Sequence, residues 1–532
     1  MTVNRFVLLL TFYFLVVLNF PLLSQLYSII SSTEAELSAG FILSLPFFFG
    51  ALLFFLFSLY SLPYLTKPIS ILLVLVSSVV TYAMYSYGTL FDYSMVQNVI
   101  ETNYGEASAY LNLSAAGAFV FLGVVPGWII ARTKITYRSL VPELLHKLKG
   151  LLASVAIIAL IALFYFKDYS AFGRNNSYLN KMIIPVEYIA ATVKYVDRNI
   201  LSEPLTHQQL GLDAKVIPGA QPRLTVLILG ETARAANYQL NGYARATNQF
   251  TQPLGVVALQ KVDSCGTATA ISVPCMFSRM SRESFDGRAV RYQDSVIDVL
   301  THAGINALWL DTDGGCKGVC DRIPTWNYTS STDDPLCVTE FCDDIIMLNE
   351  FDKAMAAIGE GDAILTLHVN GSHGPTYFER YGPEFQVFMP DCQRSDIQNC
   401  TNEEIVNTYD NTILHTDYVV AEVIKVLDSR YADYASRVVY ISDHGESLGE
   451  NGVYLHGMPY AMAPREQIEV PWIFWFSESA KQELQLDEQC LKAKAQSEQF
   501  SHDNFFDTIL GLMDVQTSVY RPELDLLRSC RG

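Results

Sequence analysis

The sequence predicts two architectures joined end to end: five membrane-spanning helices, then an α/β domain whose mostly parallel sheet lies between helices. Three observations carry that prediction. Charged residues make up 17% of the 532-residue chain and are sparse in its first third, where long apolar runs recur. All ten cysteines lie beyond residue 260. In that later part, short continuous apolar runs alternate with segments of helical pattern.

The apolar runs are Phe6–Leu23, Gly40–Leu62, Ile69–Tyr85, Ala115–Ala131 and Leu151–Phe166, each near the roughly 20 residues of a spanning helix. The first lacks a small-residue cleavage site and four more runs follow, so it reads as a retained anchor. Arg5 precedes the first span, Lys67 lies after the second, and Arg132, Lys134, Arg138, Lys147 and Lys149 lie between the fourth and fifth. The other loops hold Glu34, Glu36, Asp92, Glu101 and Glu106 and no Lys or Arg. The positive-inside rule then places the N-terminus in the cytoplasm and the C-terminal domain across the membrane.

The cysteines agree, because an even number confined to one region suits disulfides in an oxidising compartment. A zinc site of CxxC pairs is the alternative, but the closest spacing is Cys316 to Cys320. The expected division is residues 1–166 membrane, 167–216 linker and 217–532 catalytic. Within the linker, Met182–Val196 has helical apolar spacing and reads equally as an interfacial or an ordinary linker helix. A formal net charge of −19 argues against nucleic acid as a partner.

Strands are expected at Leu224–Leu229, Ala307–Leu310, Ala363–Val369 and Val438–Ile441, and helices at Ser295–Ala303, Ile345–Ile358 and Ile405–Leu427. Glu231, Asp311, the run Asn370-Gly371-Ser372-His373 and the pair Asp443-His444 follow those strands closely. Open α/β sheets bind ligands at the carboxyl ends of their strands. One such residue is usually a cap or turn former. Several strands ending this way point to a site for zinc or manganese.

At these residues the chain resembles phosphoethanolamine transferases, a group that includes lipid A enzymes and mobile colistin-resistance enzymes. Gly230-Glu231-Thr232-Ala233-Arg234 and Leu240-Asn241-Gly242-Tyr243 resemble their opening motif. The stretch Ser264–Cys275 looks like their nucleophile loop, and Ser442–Gly457 is similar to their long metal motif. Cys316-Lys317-Gly318 and His373-Gly374-Pro375 match two further elements.

The resemblance implies an alkaline-phosphatase or sulfatase-like fold on a multi-pass bacterial inner-membrane protein, its catalytic domain periplasmic. It implies Zn2+ held by Glu231, Thr269, Asp443 and His444, with Thr269 as nucleophile. Lys317, His373, Glu446 and His456 correspond to residues that hold phosphoethanolamine or a second zinc. Glu446 could pair with the ethanolamine amine, and a histidine could supply base catalysis. Asn98, Thr102 and Glu106 resemble positions facing the donor head group, and their spacing of four would put them on one helical face. With nearness along the chain, the resemblance also implies disulfides Cys265–Cys275, Cys316–Cys320, Cys337–Cys342, Cys392–Cys400 and, by elimination, Cys490–Cys530.

The implied reaction transfers phosphoethanolamine from phosphatidylethanolamine to a lipid A phosphate through a phosphothreonine, in a monomer, with polymyxin resistance as the consequence. Zinc would make the threonine hydroxyl nucleophilic. Three rivals share features: transfer to core sugars, a glycerol-phosphate transferase, and a sulfatase, against which Met276 stands where arginine belongs. A membrane-tethered binding protein should have lost metal ligands. His368 reads as a satisfied core histidine, His415 as structural, and His502 as following an N-cap at Ser501.

Overall fold

The protein, seen in a computed structural model that describes residues 1–32, 38–102, 104–329, 331–337 and 341–532, divides into two compact units. One comprises Met1–Val96 with Leu111–Tyr195, the other Gln97–Tyr110 with Val196–Gly532.

In the first unit, Ala39–Tyr60, Thr66–Tyr87, Leu113–Arg132 and Val141–Ser170 are long and apolar enough to cross a bilayer. The expected first span is not one straight helix. Val3–Leu18 and Phe20–Ser31 meet at a 59° bend, and this pair makes up a fifth span only if it crosses as one. Asn19 lies at the bend. Its side-chain amide donates to the carbonyls of Phe14 (2.9 Å) and Ile184 (2.7 Å), and its oxygen accepts from Ile184 N–H (2.9 Å). Pro21 follows and has no N–H for a continuous ladder. The last membrane helix, Leu140–Asn175, is kinked at Tyr165, whose φ of −124° and ψ of 16° are non-helical, one residue before the expected end at Phe166. In the expected linker, the helix Val186–Val196 buries Tyr188, Ala191 and Tyr195. Tyr188 meets Ser77 Oγ at 3.1 Å.

A seven-stranded sheet organises the second unit: β1 (Arg223–Gly230), β2 (Val257–Leu259), β3 (Asn306–Asp311), β4 (Thr325–Asn327), β5 (Ala363–His368), β6 (Ala435–Ser442) and β7 (Trp472–Phe476). Their order is β2-β7-β6-β1-β5-β3-β4. Only β7 runs against the rest. Every residue of β1, β5 and β6 is buried, which is why the middle of each strand reads as a mostly apolar run.

The expected helix Ile345–Ile358 is two, Ile345–Asn349 and Phe351–Ile358, because Glu350 between them lies at ψ −1°, off the helical value. The helix expected at Ile405–Leu427 spans Asn402–Arg430, started by a capping box between Thr401 and Glu404.

Candidate metal centre

Adjacent strand ends bring the sequence-remote residues together. Glu231 leaves β1, and Asp443 and His444 leave β6, with Gly230 and Ser442 in register. Thr269 opens the helix Thr269–Met276 and is buried. Thr232 occupies the left-handed region at φ 60°, rare for a β-branched residue. Its N–H donates to Asp443 Oδ1 (3.1 Å), its carbonyl accepts from the Tyr409 hydroxyl (2.6 Å), and its hydroxyl donates to Glu231. Three bonds therefore hold the strain that turns Glu231 into the site. Gly371, at φ 54°, lets its own loop lie against Glu231, whose carbonyl oxygen a Cβ would meet at 2.9 Å.

Thr269 Oγ1 lies 3.1 Å from Glu231 Oε2 and 3.3 Å from His444 Nε2. His444 Nε2 lies 3.5 Å from Glu231 Oε1 and 3.3 Å from Asp443 Oδ2. A tetrahedral ion with arms of about 2.1 Å needs its ligands about 3.4 Å apart, so the spacing matches a zinc site. Asp443 Oδ2 is buried and accepts no hydrogen bond, an orphan that an ion would satisfy. Glu231, Asp443 and His444 are fully buried. Burial and the neighbouring Asp443 raise Glu231 to about 8, and burial raises Asp443 to about 7. Burial lowers His444 to about 4, leaving a neutral imidazole suited to ligation.

Beside this centre lie His456, its ring 4.5 Å from that of His444, and His373, its ring 5.5 Å from that of His456. Burial and the charges of His456, Arg380, His444 and Lys317 depress His373 far below its ordinary range. Glu446 is fully buried, one oxygen accepting from the Tyr377 hydroxyl and the other meeting His456 Nδ1 at 2.9 Å, a contact that orients His456. Lys317, half-buried at φ 49°, lines a cavity of about 400 Å³ with Glu101, Arg291 and Arg322.

Asn98, Thr102 and Glu106 do not share one helix. The first helix ends at Glu101 and a second begins at Tyr104. Thr102 follows the break, its hydroxyl donating to the Asn98 carbonyl at 2.6 Å. The Glu106 side chain lies outside the described residues. Sequence reasoning missed Gln97, whose buried amide donates to the Ala270 carbonyl at 3.4 Å, next to Thr269. It also gave no role to Arg234, which donates to Glu446 O and Glu450 Oε1.

His368 is a further correction, because it is no ordinary core residue. Its Nδ1 lies 2.8 Å from Asp311 Oδ2 and its Nε2 3.6 Å from Asp313 Oδ2. Burial works against its charge, but these two carboxylates prevail and lift it to about 9. His415 pairs with Asp343 at 3.0 Å. His502 is buried against the Ser442 carbonyl (3.1 Å), and Ser501 caps the turn that His502 begins. The disulfides are Cys265–Cys275, Cys316–Cys320, Cys337–Cys342, Cys392–Cys400 and Cys490–Cys530.

Two family models match the chain: the sulfatase family over residues 223–515, and the "Phosphoethanolamine transferase EptA/EptB" family over residues 49–200. The chain is 39% identical to phosphoethanolamine transferase EptA of Escherichia coli K12, covering 98% of this chain and 96% of that one. It is 34% identical to phosphatidylethanolamine transferase Mcr-1 of Escherichia coli, covering 96% and 94%. The solved lipooligosaccharide phosphoethanolamine transferase A of Neisseria meningitidis superposes with a TM-score of 0.95 at 38% identity, covering 99% of this chain and 98% of that one.

Proposed function

The chain belongs to the phosphoethanolamine transferases of the EptA and Mcr type, and from that premise we propose that it moves phosphoethanolamine from phosphatidylethanolamine to a lipid A phosphate through a phosphothreonine at Thr269. One observation carries the reading: Thr269 Oγ1 lies 3.1 Å from Glu231 Oε2 and 3.3 Å from His444 Nε2, which itself lies 3.5 Å from Glu231 Oε1 and 3.3 Å from Asp443 Oδ2, separations close to those of ligands on one ion. Zn2+ fits that set of two carboxylates, one imidazole and one hydroxyl, and when bound it supplies positive charge that favours the alkoxide form of a threonine.

The remaining steps belong to side chains. The Thr269 hydroxyl donates toward Glu231 Oε2, 3.1 Å away, the first stop for its proton. Thr269 Oγ1 forms a bond to the donor phosphorus, the bond from phosphorus to the glycerol oxygen breaks, and diacylglycerol leaves with a proton. Packing around a β-branched side chain fixes the direction of attack. Lys317 offers a point charge to the transferred phosphoryl oxygens. In the second half, an oxygen of the acceptor phosphate bonds to phosphorus and the bond to Thr269 Oγ1 breaks. His456, its Nδ1 directed to Glu446, presents Nε2 to take the acceptor's proton.

Support for lipid A as acceptor comes from similarity to the lipooligosaccharide phosphoethanolamine transferase A of Neisseria meningitidis and, over 54% of the chain at 29% identity, to a Kdo(2)-lipid A phosphoethanolamine 7''-transferase of Salmonella typhimurium. By the same reading the catalytic domain is periplasmic, the N-terminus cytoplasmic and the chain monomeric. Ethanolamine added to a lipid A phosphate lowers surface charge, so cationic polymyxins bind less and resistance rises.

The test is labelled phosphatidylethanolamine given to wild-type and Thr269→Ala protein. The wild type should release diacylglycerol and carry one phosphoethanolamine on the peptide containing Thr269. Release by the alanine variant would remove Thr269 from the mechanism. Mass spectrometry of lipid A from cells with and without the protein decides the acceptor.

A further inference from the structure

A second group of buried donors lies against the first: Glu231, Asp313 and His368 bring ligand atoms within 4.8 Å of one another. We propose that these three residues hold a second divalent cation, which shares Glu231 with the catalytic ion. The inference rests on the catalytic reading above, because Glu231 belongs to both groups.

Three observations carry it. The first is the orientation of His368. Asp311 meets His368 Nδ1 at 2.8 Å and is itself held by the N–H groups of Gly314 and Gly315, each at 2.8 Å. A histidine fixed through one nitrogen by a carboxylate presents the other to a metal, the commonest outer arrangement of metal-bound imidazole. His368 Nε2 is fully buried and makes no hydrogen bond. It stands 3.6 Å from Asp313 Oδ2, close to the separation of two ligands on one ion. Asn370, two residues along the chain, adds another buried oxygen, Oδ1, that accepts no hydrogen bond.

Charge is the second observation. Glu231, Asp311, Asp313 and Asp443 are all buried, within one electrostatically coupled group. A second dication beside the first would offset more of this buried carboxylate charge, and buried charge without a counter-charge is costly.

Third, the donors differ in kind from a surface acidic cluster. Two carboxylates and an imidazole form a mixed oxygen and nitrogen set, suited to Mn2+ or Zn2+ and poorly suited to Ca2+.

The full-length protein in detergent, stripped with chelator and loaded with Mn2+ alone, tests this in two ways. Crystals should show anomalous density at the manganese edge both among Glu231, Thr269, Asp443 and His444 and among Glu231, Asp313 and His368. Electron paramagnetic resonance should show two exchange-coupled Mn2+ ions in the wild type, replaced by an isolated six-line signal and one fewer ion per chain in His368→Gln or Asp313→Asn. Density at the first position alone, or beside His373 and His456 rather than His368, overturns the inference and leaves the catalytic reading standing. Density at neither position overturns both. Equal stoichiometry in wild type and variants also overturns it, and the wild-type crystals decide the matter if neither variant folds.

Discussion

Zinc binding at the centre should weaken about 500-fold when the pH falls from 8 to 6, and the magnitude follows from the buried carboxylates. Glu231 keeps its proton up to about pH 8 and Asp443 up to about 7, whereas His444 is already neutral above about 4. An entering ion must displace whatever protons remain. At pH 8 that is about half a proton, from Glu231. At pH 6 both carboxylates are protonated, which costs about a hundredfold at Glu231 and about tenfold at Asp443. Allowing for the half-proton already held at pH 8, the ratio is about 500, or about 3.7 kcal/mol.

The sign is fixed by the direction of the shifts. Both carboxylates are raised above their unfolded values, so the stability they confer on the metal-free protein is present at low pH and lost as pH rises through 7 and 8. Zinc replaces the protons, so the zinc-induced rise in melting temperature should grow over that window. Titration of the stripped full-length protein with chelator-buffered zinc at pH 6, 7 and 8 measures the affinity. Calorimetry in buffers of different ionisation enthalpy counts the protons released. An affinity flat within about threefold across this range, with no protons released, would refute the placement of an ion among these groups.

Other substitutions test separate parts of the structure. Glu446→Gln should lower kcat about 10- to 100-fold with little change in KM for the donor, because it releases His456 rather than a substrate contact. A rise in KM alone would return Glu446 to substrate binding. Asn19→Leu removes three hydrogen bonds and strands both backbone groups of Ile184, a loss of about 3 kcal/mol visible as a lower melting temperature in detergent. An unchanged melt would show that these three bonds add nothing to stability. Replacing Cys490 and Cys530 by serine opens a 40-residue loop and should cost about 4 kcal/mol, against about 2 kcal/mol for Cys316 and Cys320, separated by 4. Denaturant melts of the two double variants rank them, and the reverse order would contradict the loop-entropy account.

The α/β architecture was legible because its central strands are buried on both faces and leave apolar runs with little else in them. The strand β7, Trp472-Ile473-Phe474-Trp475-Phe476, was not among the expected strands, and nothing in that run marks it as antiparallel. Its direction is set by the segment that returns from β6, and local pattern does not record it. The helix Asn402–Arg430 shows the opposite limit. It buries Asn407, Asp410, Asn411 and Asp417 alongside its apolar residues. Asp417 accepts from the N–H groups of Phe250 and Thr251, and Asp410 from Arg245 and Tyr243. A helix that anchors loops through buried carboxylates has a blurred apolar stripe, and its largely exposed polar first turn, residues 402–404, fell outside the expected range.

At the site, the residues legible in sequence were those whose chemistry is unusual wherever they stand: a carboxylate or imidazole directly after a buried strand. The residues missed act through others. Gln97 is an amide in a segment between apolar runs, and only folding brings it to Ala270. His368 was the harder case, because burial is the ordinary reason for a histidine at a strand end. What separates it from a core histidine is the register of β5 with β3, which sets His368 opposite Asp311. That pairing commits Nδ1 and leaves Nε2 facing Asp313. A single strand cannot reveal such a relation, since it belongs to the pair. The same holds for Glu231, whose role depends on Ser442 lying opposite Gly230. Strand chemistry marks where a metal edge can form, and register decides which of its donors meet.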